Sequence, residues 1–113
     1  MPPSPAQKIE RLKKKILALD PIHPGRITQQ FNVCGSPGCR CKDPDNPQKH
    51  GPYHNLSYTF QGRSRTRFIR PECVVEMKRR TERYVKWREL LEQLVEASID
   101  LAQQEVLQRH GKA

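Results

Sequence analysis

Apolar residues recur at helical spacing near the start of the chain. Four of them lie three or four residues apart, namely Ile9, Leu12, Ile16 and Leu19. This spacing predicts an amphipathic helix. Ser4 and Gln7 can form a capping box around Pro5, and Asp20-Pro21 ends the pattern. The other helix faces are rich in lysine and arginine, so they form either a solvated surface or a phosphate contact.

Three later segments follow the two-residue period of strands. Between Arg26 and Val33, Ile27, Phe31 and Val33 share one face, which predicts a half-buried strand. A second alternation, at Leu56, Tyr58 and Phe60, precedes Gln61-Gly62-Arg63 and a third segment from Ser64 to Ile69.

The loop length between the second and third segments decides where two arginines point. A two-residue loop would place Arg65 and Arg67 on the face of Leu56, Tyr58 and Phe60. A three-residue loop, with Gly62 or Arg63 left-handed, would instead align the apolar residues with Thr66 and Phe68. We predict the three-residue loop, with both arginines on the polar face beside Ser57 and Thr59.

No glycine or proline occurs from residue 72 to 110, so a long helix is predicted from Pro71 to about His110. Its early turns can cover the sheet, and its later turns need the first helix or another chain, as in a coiled coil. The predicted fold is α+β. Its segments are a basic helix (1–20), a zinc-loop and β-hairpin module (26–70) and the long helix (71–110), together one compact domain.

The net charge of +9 is unevenly distributed. Residues 1–88 carry 19 basic and 7 acidic side chains, a net of +12, whereas residues 89–113 carry 2 and 5, a net of −3. Such a basic segment indicates an anionic partner, most commonly nucleic acid. We find neither a transmembrane-length apolar run nor a signal peptide, so we expect a cytoplasmic or nucleoid-associated protein with no membrane partner.

The cysteines and histidines of the middle segment have the spacing of metal ligands. Cys34, Cys39, Cys41 and His50 form the pattern C-x4-C-x-C-x8-H. Cys3His is a common structural zinc set, and cytoplasmic cysteines are more often metal ligands than disulfides. His54 is the alternative fourth ligand. Cys73 stands alone and is interpreted as a small buried hydrophobic residue rather than a ligand.

No catalytic constellation accompanies these ligands. We find no glutamate beside the ligand residues, no Ser-His-Asp set, no P-loop and no dinucleotide motif. We therefore predict a closed, structural zinc site and no enzymatic activity.

The stretch CGSPGCRC, the following HGPYHNLSYTFQGRSRTRFIRPE and the long charged helix resemble a family of short bacterial proteins of uncharacterised function. That family shares a C-G-x-P-x-C-x-C…H-G-P-Y core and is often encoded beside transposases and other mobile elements. The resemblance covers roughly residues 26–100 and implies Cys34, Cys39, Cys41 and His50 as the metal ligands.

A cluster of arginines without acidic residues predicts where nucleic acid binds. The candidate contacts are Arg63, Arg65, Arg67, Arg70, Arg40, Lys42, Arg79 and Arg83. Aromatic residues are only 6% of the chain, which favours duplex DNA over single strands or RNA. Tyr53, Tyr58 and Trp87 are expected to pack in the core or against the metal loop.

We therefore expect a small zinc-stabilised nucleic-acid-binding protein, accessory to a DNA transaction such as transposition. The alternative is a zinc-stabilised adaptor without a nucleic-acid role, which acts through the long helix. Under the first hypothesis, the acidic distal part of that helix would serve a homodimer or a partner protein. Under the alternative, the long helix is the functional surface and the basic sheet meets an acidic partner.

Overall fold

The computed structural model describes residues 2–108 and has the predicted α+β architecture. Its elements are helix α1 (Pro5–Leu17), strands β1 (Arg26–Asn32), β2 (His50–Phe60) and β3 (Arg63–Ile69), and helix α2 (Val74–Ala102), which a π-helical turn (Gln103–Leu107) continues. The predicted helix end near His110 lies outside the described residues. No helix within residues 2–108 is both long and apolar enough to cross a membrane.

The chain divides into two compact units. One contains α1 and the part of α2 from Glu82 onward, and the other contains residues 23–81, which include the whole sheet.

In the first unit, the predicted capping box starts α1. The Gln7 amide donates to the Ser4 hydroxyl over 3.3 Å, and the Gln7 side chain accepts from the Ser4 amide over 3.0 Å. The helix ends at Leu17, slightly before the predicted Asp20-Pro21, and the Ala18 amide caps it by donating to the carbonyls of the last turn. Among the described residues of this unit, Leu12, Leu90 and Ala97 are buried and apolar.

Part of the basic surface of α1 faces acidic residues of α2. Lys8, Arg11 and Lys15 line one groove together with Glu96 and Asp100. These basic side chains are therefore electrostatically matched within the unit, which favours a structural role for this side of α1.

In the second unit, the three strands form an antiparallel sheet in the order β1-β2-β3. One face of this sheet packs against the first turns of α2, as predicted. Leu56, Ile69 and Val74 are buried there, and the side chains of Ile27, Tyr58 and Met77 pack around them. His23 adds an edge-on contact to Tyr58, with ring centroids 4.8 Å apart.

The predicted three-residue hairpin loop is wrong. Phe60 pairs directly with Arg63, so the loop contains only Gln61 and Gly62. Both residues have positive φ, +52° and +76°, as a type I′ turn requires. Arg65 consequently lies opposite Tyr58, on the core-facing side of the sheet.

The prediction of a three-residue loop rested on the assumption that an arginine cannot occupy a core-facing position, and this assumption is wrong. Arg67 pairs with the buried Leu56 and yet stays exposed. It lines a groove with Tyr58 and Met77 on the edge strand, where a long side chain can cover apolar surface with its methylenes and keep its charge in water. Phe68, in contrast, lies exposed on the polar face.

The first strand is less buried than predicted. Ile27 is half-buried, but Phe31 and Val33 are exposed, and Val33 lies beyond the end of β1. The register between β1 and β2 shifts after Gln30, where one residue of β1 lies opposite two residues of β2.

Candidate metal centre

The four predicted ligands lie on a loop that two paired strands close. Cys34 follows β1 by two residues, and His50 is the first residue of β2. Asn32 pairs with His50, which brings the two ends of the loop together. Cys39 caps a 3₁₀ turn (Arg40–Lys42) that contains Cys41, and the Gln48 amide donates to the Arg40 carbonyl over 3.0 Å.

The ligand atoms have the spacing that one metal ion requires. The three Sγ atoms and the imidazole nitrogen of His50 all lie within 4.8 Å of one another. Cys34 Sγ is 3.6 Å from Cys41 Sγ, and Cys39 Sγ is 3.1 Å from His50 Nε2. The edge of a tetrahedron with bonds of about 2.3 Å is about 3.7 Å, so the set fits a tetrahedral ion with little rearrangement.

Hydrogen bonds at the cluster favour the thiolate form of two cysteines. A hydrogen bond from the Ser36 backbone, followed by one from His50, lowers the pKa of Cys34 to about 6. A backbone hydrogen bond from Cys41 lowers the pKa of Cys39. Hydrogen bonds to Cys34 and Cys39 raise the pKa of His50. Because the thiolate is the form that binds metals, the bonds that lower the pKa values of Cys34 and Cys39 favour cation binding, whereas the raised pKa of His50 favours its protonated form, which must lose a proton to bind a metal.

Cys41 is the most buried of the four candidate ligands. It is only 2% exposed, and this burial raises the pKa of its thiol. The Cys34 amide donates to its sulfur over 3.3 Å, an orientation that also suits a metal-bound thiolate.

His54 and Cys73 lie outside the cluster. His54 is in the middle of β2, and its Nδ1 is buried without a hydrogen-bond partner among the described residues. The interpretation of Cys73 as a buried residue is wrong, because its side chain is exposed. Cys73 belongs to the 3₁₀ turn (Pro71–Cys73) before α2. The next residue, Val74, is the first residue of α2 and packs against the sheet.

Three of the candidate nucleic-acid contacts form a row on β3. Arg63, Arg65 and Arg67 alternate along this edge strand, and all are exposed. Arg70 follows the strand directly. Within the described part of the chain, none of these four arginines forms an ion pair. Arg40 and Lys42 are exposed on either side of the ligand Cys41.

The two candidate arginines of α2 have partners within the protein. Arg79 lies 3.8 Å from the Glu76 carboxylate, which also accepts from Arg80 over 3.0 Å. Arg83 donates to the Pro21 carbonyl over 3.1 Å. These contacts give both side chains a structural role.

The structure also reveals a groove beside the ligands that the sequence analysis missed. It has a volume of about 420 Å³ and lies on the polar face of the sheet, lined by Gln30, Asn32, Cys34, His50, Tyr53, Asn55 and Phe68. The dipeptide Gln61-Gly62 was the available signal, since a type I′ turn brings Tyr53 and Phe68 to one face. Tyr53 lies beside the metal loop, as expected, but its ring faces Phe68 across an open groove.

Comparison with known proteins gives one family. Residues 5–79 match the model of a family described as "Domain of unknown function (DUF6788)", and the matched region includes α1, the sheet and all four ligands. Neither a curated protein nor a solved structure matches the chain.

Proposed function

The chain belongs to the family Domain of unknown function (DUF6788), and we propose that it is a small zinc-stabilised nucleic-acid-binding protein, accessory to a DNA transaction such as transposition. The row of unpaired arginines on β3 carries this proposal. Residues spaced two apart on a strand project about 6.8 Å apart on one side, which is similar to the spacing of successive phosphates along a nucleic-acid strand. A DNA partner contacted mainly through phosphates follows from this arrangement.

Zinc is the proposed metal because of the donor set. Three thiolates and one imidazole are typical of closed structural zinc sites, whereas magnesium and calcium prefer oxygen ligands. When bound, zinc would supply a cross-link between the start of β2 and the loop after β1. With four protein ligands, the site leaves no position for a substrate, so binding rather than catalysis is expected.

Phosphate contacts predict a steep dependence of DNA affinity on salt. The logarithm of the association constant should fall by about 0.9 per contact for each tenfold rise in salt. Replacing both Arg65 and Arg67 with alanine should reduce that slope by about 2 and weaken binding at low salt. The measurement is fluorescence anisotropy with labelled DNA over a series of salt concentrations.

The control variant also removes two positive charges, but from the unit that contains α1. Lys13→Ala combined with Lys14→Ala alters α1 and leaves β3 intact, so it should leave the slope close to that of the wild type. A protein that binds no nucleic acid at low salt would refute the proposal, as would an equal change in slope for the two double variants.

Thiol accessibility tests the metal site with an internal reference. Metal bound to Cys34, Cys39 and Cys41 should block alkylation of these three thiols, whereas the exposed Cys73 should react. Mass spectrometry of the native protein should therefore show one label per chain, and four labels after chelation. Four labels on protein saturated with zinc would contradict the ligand assignment.

A second candidate function is supported by the distal part of α2. Leu91, Val95, Ile99 and Val106 form an apolar stripe that is exposed in this structure. Such a stripe would suit the alternative adaptor function, with a second copy of the chain as the first candidate for its partner.

A further inference from the structure

The groove beside the metal ligands exposes two aromatic rings on an otherwise polar surface. Tyr53 is 37% exposed and Phe68 is 56% exposed, and their ring centroids lie 6.5 Å apart with a tilt of 56°. The rest of this sheet face consists mostly of hydroxyl and amide side chains, for example Ser57 bonded to Thr66 over 3.2 Å. Exposed rings in such surroundings indicate a ligand with a flat apolar face.

The polar lining of the groove suits the edges of a nucleobase. Gln30 accepts from the side-chain amide of Asn55 over 3.2 Å, and both side chains line the groove. Their remaining donor and acceptor positions, together with Asn32, can pair with base edges. A volume of about 420 Å³ is within the range of about 300–1,000 Å³ that small organic groups occupy in proteins.

The charge of the unit favours a nucleotide over a neutral or cationic aromatic group. Residues 23–81 carry 11 lysine and arginine side chains against 4 acidic ones, a net of +7. None of the groove residues is acidic, and the basic Lys49 directly precedes the lining residue His50. A stacked base whose phosphates extend into this positive field is therefore complementary to both the shape and the charge.

We propose that this groove stacks an unpaired base, so that the preferred partner is single-stranded DNA or a duplex with a single-stranded segment. This inference rests on the proposed nucleic-acid-binding function and specifies its substrate. It replaces the expectation of a continuous duplex, because the base faces of a duplex are already stacked on one another and cannot enter the groove. Arg63, Arg65 and Arg67 project from the other face of the edge strand β3, so they would contact phosphates farther along the strand than those next to the stacked base.

The test compares three DNA ligands of equal length in anisotropy titrations of the full chain. These are a single strand, the same strand with abasic positions, and a blunt duplex. Wild-type protein should bind the single strand about tenfold or more tightly than the abasic strand. The double variant Tyr53→Ala with Phe68→Ala should bind the intact and the abasic strand with equal affinity, and it should still bind the duplex as the wild type does.

Phe60→Ala is the matched control, because Phe60 is a similarly exposed aromatic residue on the opposite face of the sheet. It should leave single-strand affinity unchanged, and the zinc content and circular dichroism of both variants should match the wild type. If Tyr53→Ala with Phe68→Ala misfolds, Tyr53→Leu provides the same comparison with less disruption. Equal affinity for the intact and abasic strands would overturn the inference alone, whereas failure to bind any DNA would overturn the proposed function.

Discussion

At the residue scale, Gly51 has the most constrained position near the metal ligands. It follows His50 and has φ +136°, a conformation that other residues rarely adopt. A Cβ atom at this position would lie 2.8 Å from the Gln30 carbonyl oxygen and 3.0 Å from the Phe31 ring. Any side chain would therefore push β2 away from β1 at the position where β2 supplies its ligand.

Gly51→Ala should accordingly weaken metal binding and lower the melting temperature. Backbone strain together with a backbone clash typically costs about 1–3 kcal/mol, so we expect about a tenfold or greater loss of zinc affinity, measured by competition with a chromogenic chelator. Gly38→Ala is the control, because a Cβ at that loop position meets nothing within 4 Å. Equal affinities for the two variants would contradict the role assigned to Gly51.

Residue spacing predicted the cluster of ligands well, and the structure shows why. Cys39 and Cys41 are only two residues apart, so a short turn must bring them together whatever the rest of the fold does. The choice of His50 over His54 depends on strand pairing, because β2 begins six residues before the alternation of Leu56, Tyr58 and Phe60. The groove at Tyr53 was missed for a related reason, since the loop length that brings Phe68 beside it was predicted incorrectly.

At the scale of elements, the metal loop has little structure of its own. Residues 33–49 contain a single 3₁₀ turn and few backbone hydrogen bonds among the described residues. The β2–β3 hairpin, in contrast, is paired continuously from His54 and Ile69 to Phe60 and Arg63, and it packs against Val74 of α2. We therefore expect a bound metal to order the loop, whereas the hairpin has a core of its own.

Metal removal should consequently affect the loop selectively. After chelation, hydrogen–deuterium exchange should accelerate by about tenfold or more in residues 33–50 and change little in residues 56–69. Mass spectrometry of peptic peptides measures both segments in one experiment. The hairpin peptides serve as the internal control, and uniform acceleration across both segments would show that the metal stabilises the whole unit instead.

The helices and strands could be predicted because their apolar residues recur at regular helical or strand spacing. The residues that lie on each face of the hairpin could not be predicted, because a change of one residue in loop length moves every side chain of β3 to the other face. Gln61 has no special preference for positive φ, so the turn type is determined mainly by Gly62 and by the match of a type I′ turn to the strand twist. The arginines do not exclude the two-residue loop, because Arg67 can lie on the core-facing side and still keep its charge in water.

At the scale of the whole molecule, the charges along the distal part of α2 are complementary to those of a second, antiparallel copy of the same helix. Lys86 and Arg88 come first, and an acidic segment follows that includes Glu89, Glu92 and Glu105, apart from Glu96 and Asp100, which line the groove with α1. Two such helices aligned antiparallel would place the basic end of each beside the acidic end of the other. The exposed stripe of Val95 and Ile99 would then lie at the centre of the pair.

The second candidate function therefore predicts an antiparallel dimer through this stripe. Light scattering after size-exclusion chromatography should give about twice the chain mass of 13.2 kDa for the wild type. Ile99→Glu should give the monomer mass, because it places a charge in an apolar seam beside other acidic residues. Val75→Glu is the control, since Val75 is as exposed as Ile99 but lies in the sheet-containing unit. A wild type that is monomeric at concentrations of tens of micromolar would contradict this dimer.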